Sequence, residues 1–247
     1  ADRLMINDMI GTGEAGIYSL AYSISQIMTI FNSSLMQTME PWLYKKIRDK
    51  KTNEISQIAY SAFCLIAVVN LMLIVIAPEV IVIFAPKEYY SAIWIIPPVA
   101  MSVFFQFLYT FFAVFEFYYE KTKYITIATM VGAVVNVILN YIFIKLYGYY
   151  AAGYTTLICF ILYAVFHYIF MDKLIKQNHS NEKAYDLKVL LFISILFLFL
   201  GFSILFTYNY PIIRYSVIIV LILVMSVKYK ILIKLLSKFV NIRKERR

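Results

Sequence analysis

Seven stretches of this chain are long and apolar enough to cross a bilayer, which excludes nearly every soluble architecture. A hydrocarbon core about 30 Å thick takes roughly 20 residues of helix, and about 25 when the helix is tilted. The stretches cover residues 17–44, 55–84, 89–117, 124–146, 150–171, 189–207 and 211–235. The first three exceed what spanning requires, so tilt or interfacial ends are expected. Composition agrees: 62% of the 247 residues are hydrophobic and 15% charged, against about 45–50% apolar and about 25% charged in soluble domains. The expected class is all-α, a polytopic transmembrane helix bundle.

The formal net charge of +9 does not point to nucleic acid, because that reading needs a basic face on a soluble domain. Here the positives sit between the apolar runs. Lys45, Lys46, Arg48, Lys50 and Lys51 share one connection, and Lys121 and Lys123 another. Lys173, Lys176, Lys183 and Lys188 share a third, and eight basic residues follow from Lys228. The alternate connections hold only Lys87, Lys145 and Arg214. That is nineteen against three, with Arg3 apart. The positive-inside rule places the richer side, and the C-terminus with it, in the cytoplasm.

A polar stretch, 173–188, divides the chain into a main lobe (1–172), this cytoplasmic loop, two additional spans (189–235) and a basic tail (236–247). The first of the added spans is nearly pure Leu, Ile and Phe, so the pair is expected at the periphery, facing lipid. The opening ADRLMINDMI reads as the end of a helix already under way, with no basic start and no cleavage site. The expectation is that a segment precedes it.

An ionisable residue at membrane depth costs about 2.5–3.5 kcal/mol on insertion scales, so it faces a cavity or a partner. Asp2, Arg3, Asn7 and Asp8 crowd the first helix. Arg3 and Asn7 are one turn apart, with the Asp8 carboxylate nearly on their face, below an outer turn expected over 11–16. One reading is an anion site, since the guanidinium fork suits phosphate oxygens. The other is an ion pair of Arg3 with Asp2, Asp8 or another helix. Asn136 and Asn140 also share a face, and either donate to sugar hydroxyls or, the favoured reading, bond neighbouring helices.

Asn32, Gln37 and Glu40 form a stripe on the first full span, with Glu40 placed at the interface, and Asn70 suggests an interhelix bond. Glu116 and Glu120, beside Lys121 and Lys123, read as a solvated edge. Glu79 reads the same way, and His167 as a lone interfacial histidine. Pro97 and Pro98 fall inside the third stretch, where the helix should kink or break, exposing backbone groups as in transporters or merely bending. Tyrosines suit the interfacial belts. Cys64 and Cys159 have no metal-ligand spacing and read as core hydrophobes. GTGEAG lacks the context of a dinucleotide fingerprint. No enzyme motif, no cofactor and no metal site are expected.

Several stretches together resemble bacterial polysaccharide-unit flippases of the multidrug/oligosaccharidyl-lipid/polysaccharide (MOP) superfamily. They are DRLMIN, AGIYSLAYSISQIMTIFNSSLMQTMEPWLYKKI, FAPKEYYSAIWIIPPVAMS, FEFYYEKTKYITIATMVGAVVNVILNYIFI and YGYYAAGYTTLICFILYAVFHYIFM, together covering 1–172. The resemblance implies one six-helix lobe of a MATE-like fold, its first helix cut short at 1–10, plus two extra peripheral helices. It implies a second lobe, absent from this chain, without which transport would not run. The implied activity is flipping of undecaprenyl-diphosphate-linked oligosaccharide across the bacterial inner membrane for O-antigen, capsule or exopolysaccharide, driven by an ion gradient. Implied partners are that lipid-linked oligosaccharide, the bilayer, and a polysaccharide polymerase with other assembly proteins. An ion-coupled multidrug antiporter of the same superfamily and a non-transporting membrane remnant are the alternatives.

Overall fold

The computed structural model describes residues 1–178 and 184–227, which form eight α-helices and no strand. They are α1 (Asp2–Met9), α2 (Thr12–Arg48), α3 (Thr52–Phe84), α4 (Ile96–Tyr118), α5 (Thr122–Tyr147), α6 (Ala151–Asn178), α7 (Leu187–Phe206) and α8 (Pro211–Val227). The chain is an all-α polytopic helix bundle. Among the described residues, five segments are long and apolar enough to cross a membrane: Glu54–Phe84, Ile96–Tyr118, Thr122–Tyr147, Ala151–Asn178 and Leu187–Asn209. The other two expected spans differ. The seventh is described only to Val227, and its remaining residues, with Lys183 and the basic tail, lie outside the described residues.

The first expected span lies in α2, whose 37 residues are less apolar than those five segments because Ser, Thr, Asn and Gln recur along it. Most of those hydroxyls are satisfied locally. Ser19, Ser23, Ser25, Ser34 and Thr38 each donate to the carbonyl four residues earlier. Such back-bonding lets a polar helix run through apolar surroundings with few unmet groups.

α4 is the hub. It is buried along almost its whole length and packs against α2, α3, α5, α6 and α7, most extensively against α6. Small residues allow the closest approaches. A Cβ on Gly153 of α6 would stand 3.0 Å from Pro98 Cγ, and one on Gly132 of α5 would fall 2.4 Å from the Tyr163 ring. Against α4, α7 stacks Phe197 on Phe104, with ring centroids 4.2 Å apart.

Three expected boundaries move. The third stretch is not one helix: Lys87–Trp94 is a 3-10 helix and α4 starts at Ile96. Pro97 and Pro98 therefore sit in the first turn of α4, where a missing N–H breaks no helical bond, and the interruption lies on their N-terminal side. The turn between α1 and α2 is confined to Ile10 and Gly11, whose φ of +154° suits glycine, while the other glycines of the 11–16 stretch are already helical. Finally, α6 runs on to Asn178, so the polar connection is shorter than 173–188. Tyr185 in that connection is buried among Tyr60, Phe63, Phe112 and Phe115. That burial pushes its hydroxyl far above the ordinary tyrosine range.

Candidate functional site

A carboxylate packed among helices needs donors, and four helices supply and hold them around Asp2. Its Oδ2 accepts from the Tyr18 hydroxyl of α2 at 2.7 Å and the Thr156 hydroxyl of α6 at 2.9 Å. Its Oδ1 accepts from the Asn140 amide of α5 at 2.8 Å. Asn140, fully buried, spends its other capacity as well: it donates to Asn136 Oδ1 at 3.2 Å and accepts from the Thr155 hydroxyl. Hydrogen bonds to an ionised acceptor are roughly twice as strong as neutral ones. Chains of them in a low dielectric reinforce each other. The network ties α1, α2, α5 and α6 to one charged group.

Beside it opens a cavity of about 570 Å³, lined by Asp2, Arg3, Tyr18, Tyr22, Asn136, Thr156 and Tyr163 among others. Arg3 does not pair with Asp2 or Asp8. Its exposed side chain lies over the Tyr22 ring, 5.2 Å from the centroid, a weak attraction. Among the described residues its N–H fork has no hydrogen-bond acceptor. A planar cation with unspent donors therefore stands at the cavity edge, next to a carboxylate whose donors come from elsewhere.

The other expected site residues divide. Asn136 lines the cavity and Asn140 braces it from behind. Asn140 thus does bond a neighbouring helix, through Asp2. Asn7 and Asp8 are exposed, do not line the cavity, and are 3.5 Å from each other (Asn7 Nδ2 to Asp8 Oδ1). The Pro97–Pro98 turn packs on Gly153 instead of lining this cavity. Asp2 itself was not singled out from the sequence as a site residue. The visible signal was an acidic residue in a membrane helix; its partners are up to 154 positions away.

Four polar residues depart from expectation because the packing around them is denser than the sequence suggests. Glu116 is not a solvated edge residue, and His167 is neither alone nor exposed. Glu116 has no exposure, His167 is 2% exposed, and His167 Nδ1 lies 2.7 Å from Glu116 Oε1. Glu79 is paired with buried Arg214, clamping α8 to α3. Asn70 donates to Ile66 O of its own helix at 2.9 Å, not to a neighbour. Glu120 is exposed as expected. Cys159 is buried, whereas Cys64 is on the outer surface of α3. The stripe on α2 faces a second, smaller recess of about 250 Å³ in which Asn32, Gln37 and Glu40 meet Gln106 and Thr110 of α4.

No family model matches the chain, and no solved structure matches it. Over 136 residues it is 19% identical to an "Uncharacterized membrane protein" of Haemophilus influenzae, covering 54% of this chain and 34% of that protein. The chain thus spans about a third of that relative's length. Likeness and helices together support a membrane protein with several apolar helices.

Proposed function

We propose that this chain is part of a membrane transporter, not an enzyme, that carries an undecaprenyl-diphosphate-linked oligosaccharide across the bacterial cytoplasmic membrane for surface-polysaccharide assembly. The reading starts from the resemblance over 1–172 and rests on one observation: among the described residues, the Arg3 guanidinium has no acceptor at the edge of a cavity of about 570 Å³. A guanidinium stays protonated and binds two phosphate oxygens at once, which an ammonium does not. Around it, the Asn136 amide offers a hydrogen bond, and the rings of Tyr22 and Tyr163 offer flat faces, to the first sugars.

An ion gradient would act at Asp2. A cation entering the cavity competes with Tyr18, Thr156 and Asn140 for the carboxylate, loosening bonds that join four helices. Differential affinity of that kind is what shifts a conformational equilibrium. In this reading a second lobe closes the cavity, and the lysine-rich connections face the cytoplasm. The multidrug alternative is weaker, since it would draw on an acidic pair and Asp8 does not join Asp2 at the cavity.

The test is complementation of surface polysaccharide in a flippase-deficient strain by the complete gene, with membrane levels checked by blot. Arg3→Ala should abolish it, Arg3→Lys should retain part, and Lys87→Ala or Lys145→Ala should leave it intact. Normal polysaccharide from well-expressed Arg3→Ala protein rejects the phosphate role.

A further inference from the structure

One pair of titratable groups has no part in the cavity. Glu116 of α4 and His167 of α6 meet inside the most extensive helix pairing of the bundle, at 2.7 Å and with 0% and 2% exposure. The second carboxylate oxygen, Oε2, is buried without a partner. Counting protons shows what this arrangement can do. With one labile proton the pair is net neutral, whichever member carries it. Without that proton, a negative charge remains where no solvent reaches, a state that burial opposes. A second proton leaves the opposite imbalance.

Among the described residues, the surroundings offer no other charge in contact with the pair. On α4, Tyr109 stacks on the imidazole at 5.2 Å, and on α6, Tyr163 does so at 6.5 Å. Tyr163 spends its hydroxyl on Thr129 O of α5, whose Lys121 and Lys123 neighbours at the helix start are exposed. On α2, Glu40 is held by Tyr44, and Lys46 pairs with Glu54 of α3. Farther along α6, Asp172 pairs with Lys176 at 2.6 Å. Toward α7, Tyr185 packs on Phe112 and Phe115, and Asp186 caps the α7 helix through Lys188 N. Of all these groups, His167 is the one in hydrogen-bond contact with Glu116.

We infer that Glu116 and His167 form a proton-binding site within the bundle, and that its occupancy sets how closely the C-terminal halves of α4 and α6 pack. The sign follows from the proton count. The single-proton state keeps the helices together, and its loss at higher pH places an uncompensated carboxylate in their interface and loosens it. α6 continues from His167 to Asn178, about 16 Å at 1.5 Å per residue. A small opening at the pair therefore becomes a larger displacement at the tip. The inference does not depend on what is transported.

The test uses the full chain in lipid vesicles, with Cys64→Ser and Cys159→Ser and spin labels at Lys121→Cys and Asn178→Cys. The distance between labels should lengthen as pH is raised. Glu116→Gln, neutral at every pH, should hold the short distance throughout. A distance independent of pH, or a Glu116→Gln protein that follows the parent, overturns the inference. A second measurement covers a poorly folding variant. The sequence has two histidines, so His179→Gln leaves His167 as the sole imidazole signal in nitrogen-15 NMR. That signal should titrate together with the carboxylic-acid infrared band. A His167 signal in one state from mildly acidic to mildly alkaline pH overturns the inference equally.

Discussion

Asp2 and Glu116, two carboxylates inside one helix bundle, are housed in opposite ways. Asp2 is partly open to a cavity and held by three neutral donors from three helices. Glu116 is sealed, with one oxygen on His167 and the other on nothing. Three helices thus hold the Asp2 carboxyl in place through partners that carry no charge of their own, and a cavity can be shaped around it. A single titratable partner makes the charge balance at Glu116 depend on one proton. The difference lies both in the partners and in exposure, since Asp2 borders a cavity and Glu116 has no exposed surface.

The contrast can be broken most directly at Glu116. Removing one member of a buried pair costs about 3–5 kcal/mol, so Glu116→Ala should lower thermal stability in detergent more than any other single change considered. Joint replacement by Glu116→Met and His167→Phe should recover most of the loss. Parent-like stability of Glu116→Ala alone would mean that the pair does not hold α4 against α6. Next in size is Gly132→Ala, whose methyl would fall 2.4 Å from the Tyr163 ring. Overpacking of this kind costs about 1–3 kcal/mol. Tyr163→Leu in the same chain should relieve it, and failure to do so would show that α5 and α6 are held apart by something else.

Thr156→Val sharpens the comparison from the other side. It removes one of three donors to Asp2, and membrane hydrogen bonds of this kind average about 0.6 kcal/mol with a maximum of about 1.7. Unfolding should therefore shift far less than in Glu116→Ala. Equal effects would erase the distinction between a shared load and a single partner. The smallest effect belongs to Ser34→Ala on α2, where an exposed hydroxyl bonds only the Ile30 carbonyl. Its change in stability should stay within about 0.5 kcal/mol.

Particular residues show how far sequence reading reached. The apolar runs of α3, α5 and α7 were legible because length and hydropathy are properties of consecutive residues. The break near Pro97–Pro98 was legible too, though not its side: the prolines begin a helix, where a missing N–H is harmless. Glu116 was misplaced because Glu120, Lys121 and Lys123 make its neighbourhood look wet. It is dry because α6 runs well past it and covers it. Arg3 and Asn136 were read as cavity residues and do line one cavity, whereas Asn7 and Asp8, equally polar and as close in sequence, do not.

The sequence by itself determined that this chain is a bundle of membrane helices, where most of them run, and which connections carry the lysines. Those properties follow from the local cost of placing polar groups in hydrocarbon, which each segment meets or fails alone. Only the tertiary structure decided that Asp2 meets Asn140 across 138 positions, that Glu116 meets His167 across 51, and that Arg3 has no acid partner among the described residues. Those outcomes depend on which helix faces touch. That choice is made by packing between segments far apart in the chain, at close approaches such as Gly132 against Tyr163 and Gly153 against Pro98, where small residues let polar groups come within reach of each other.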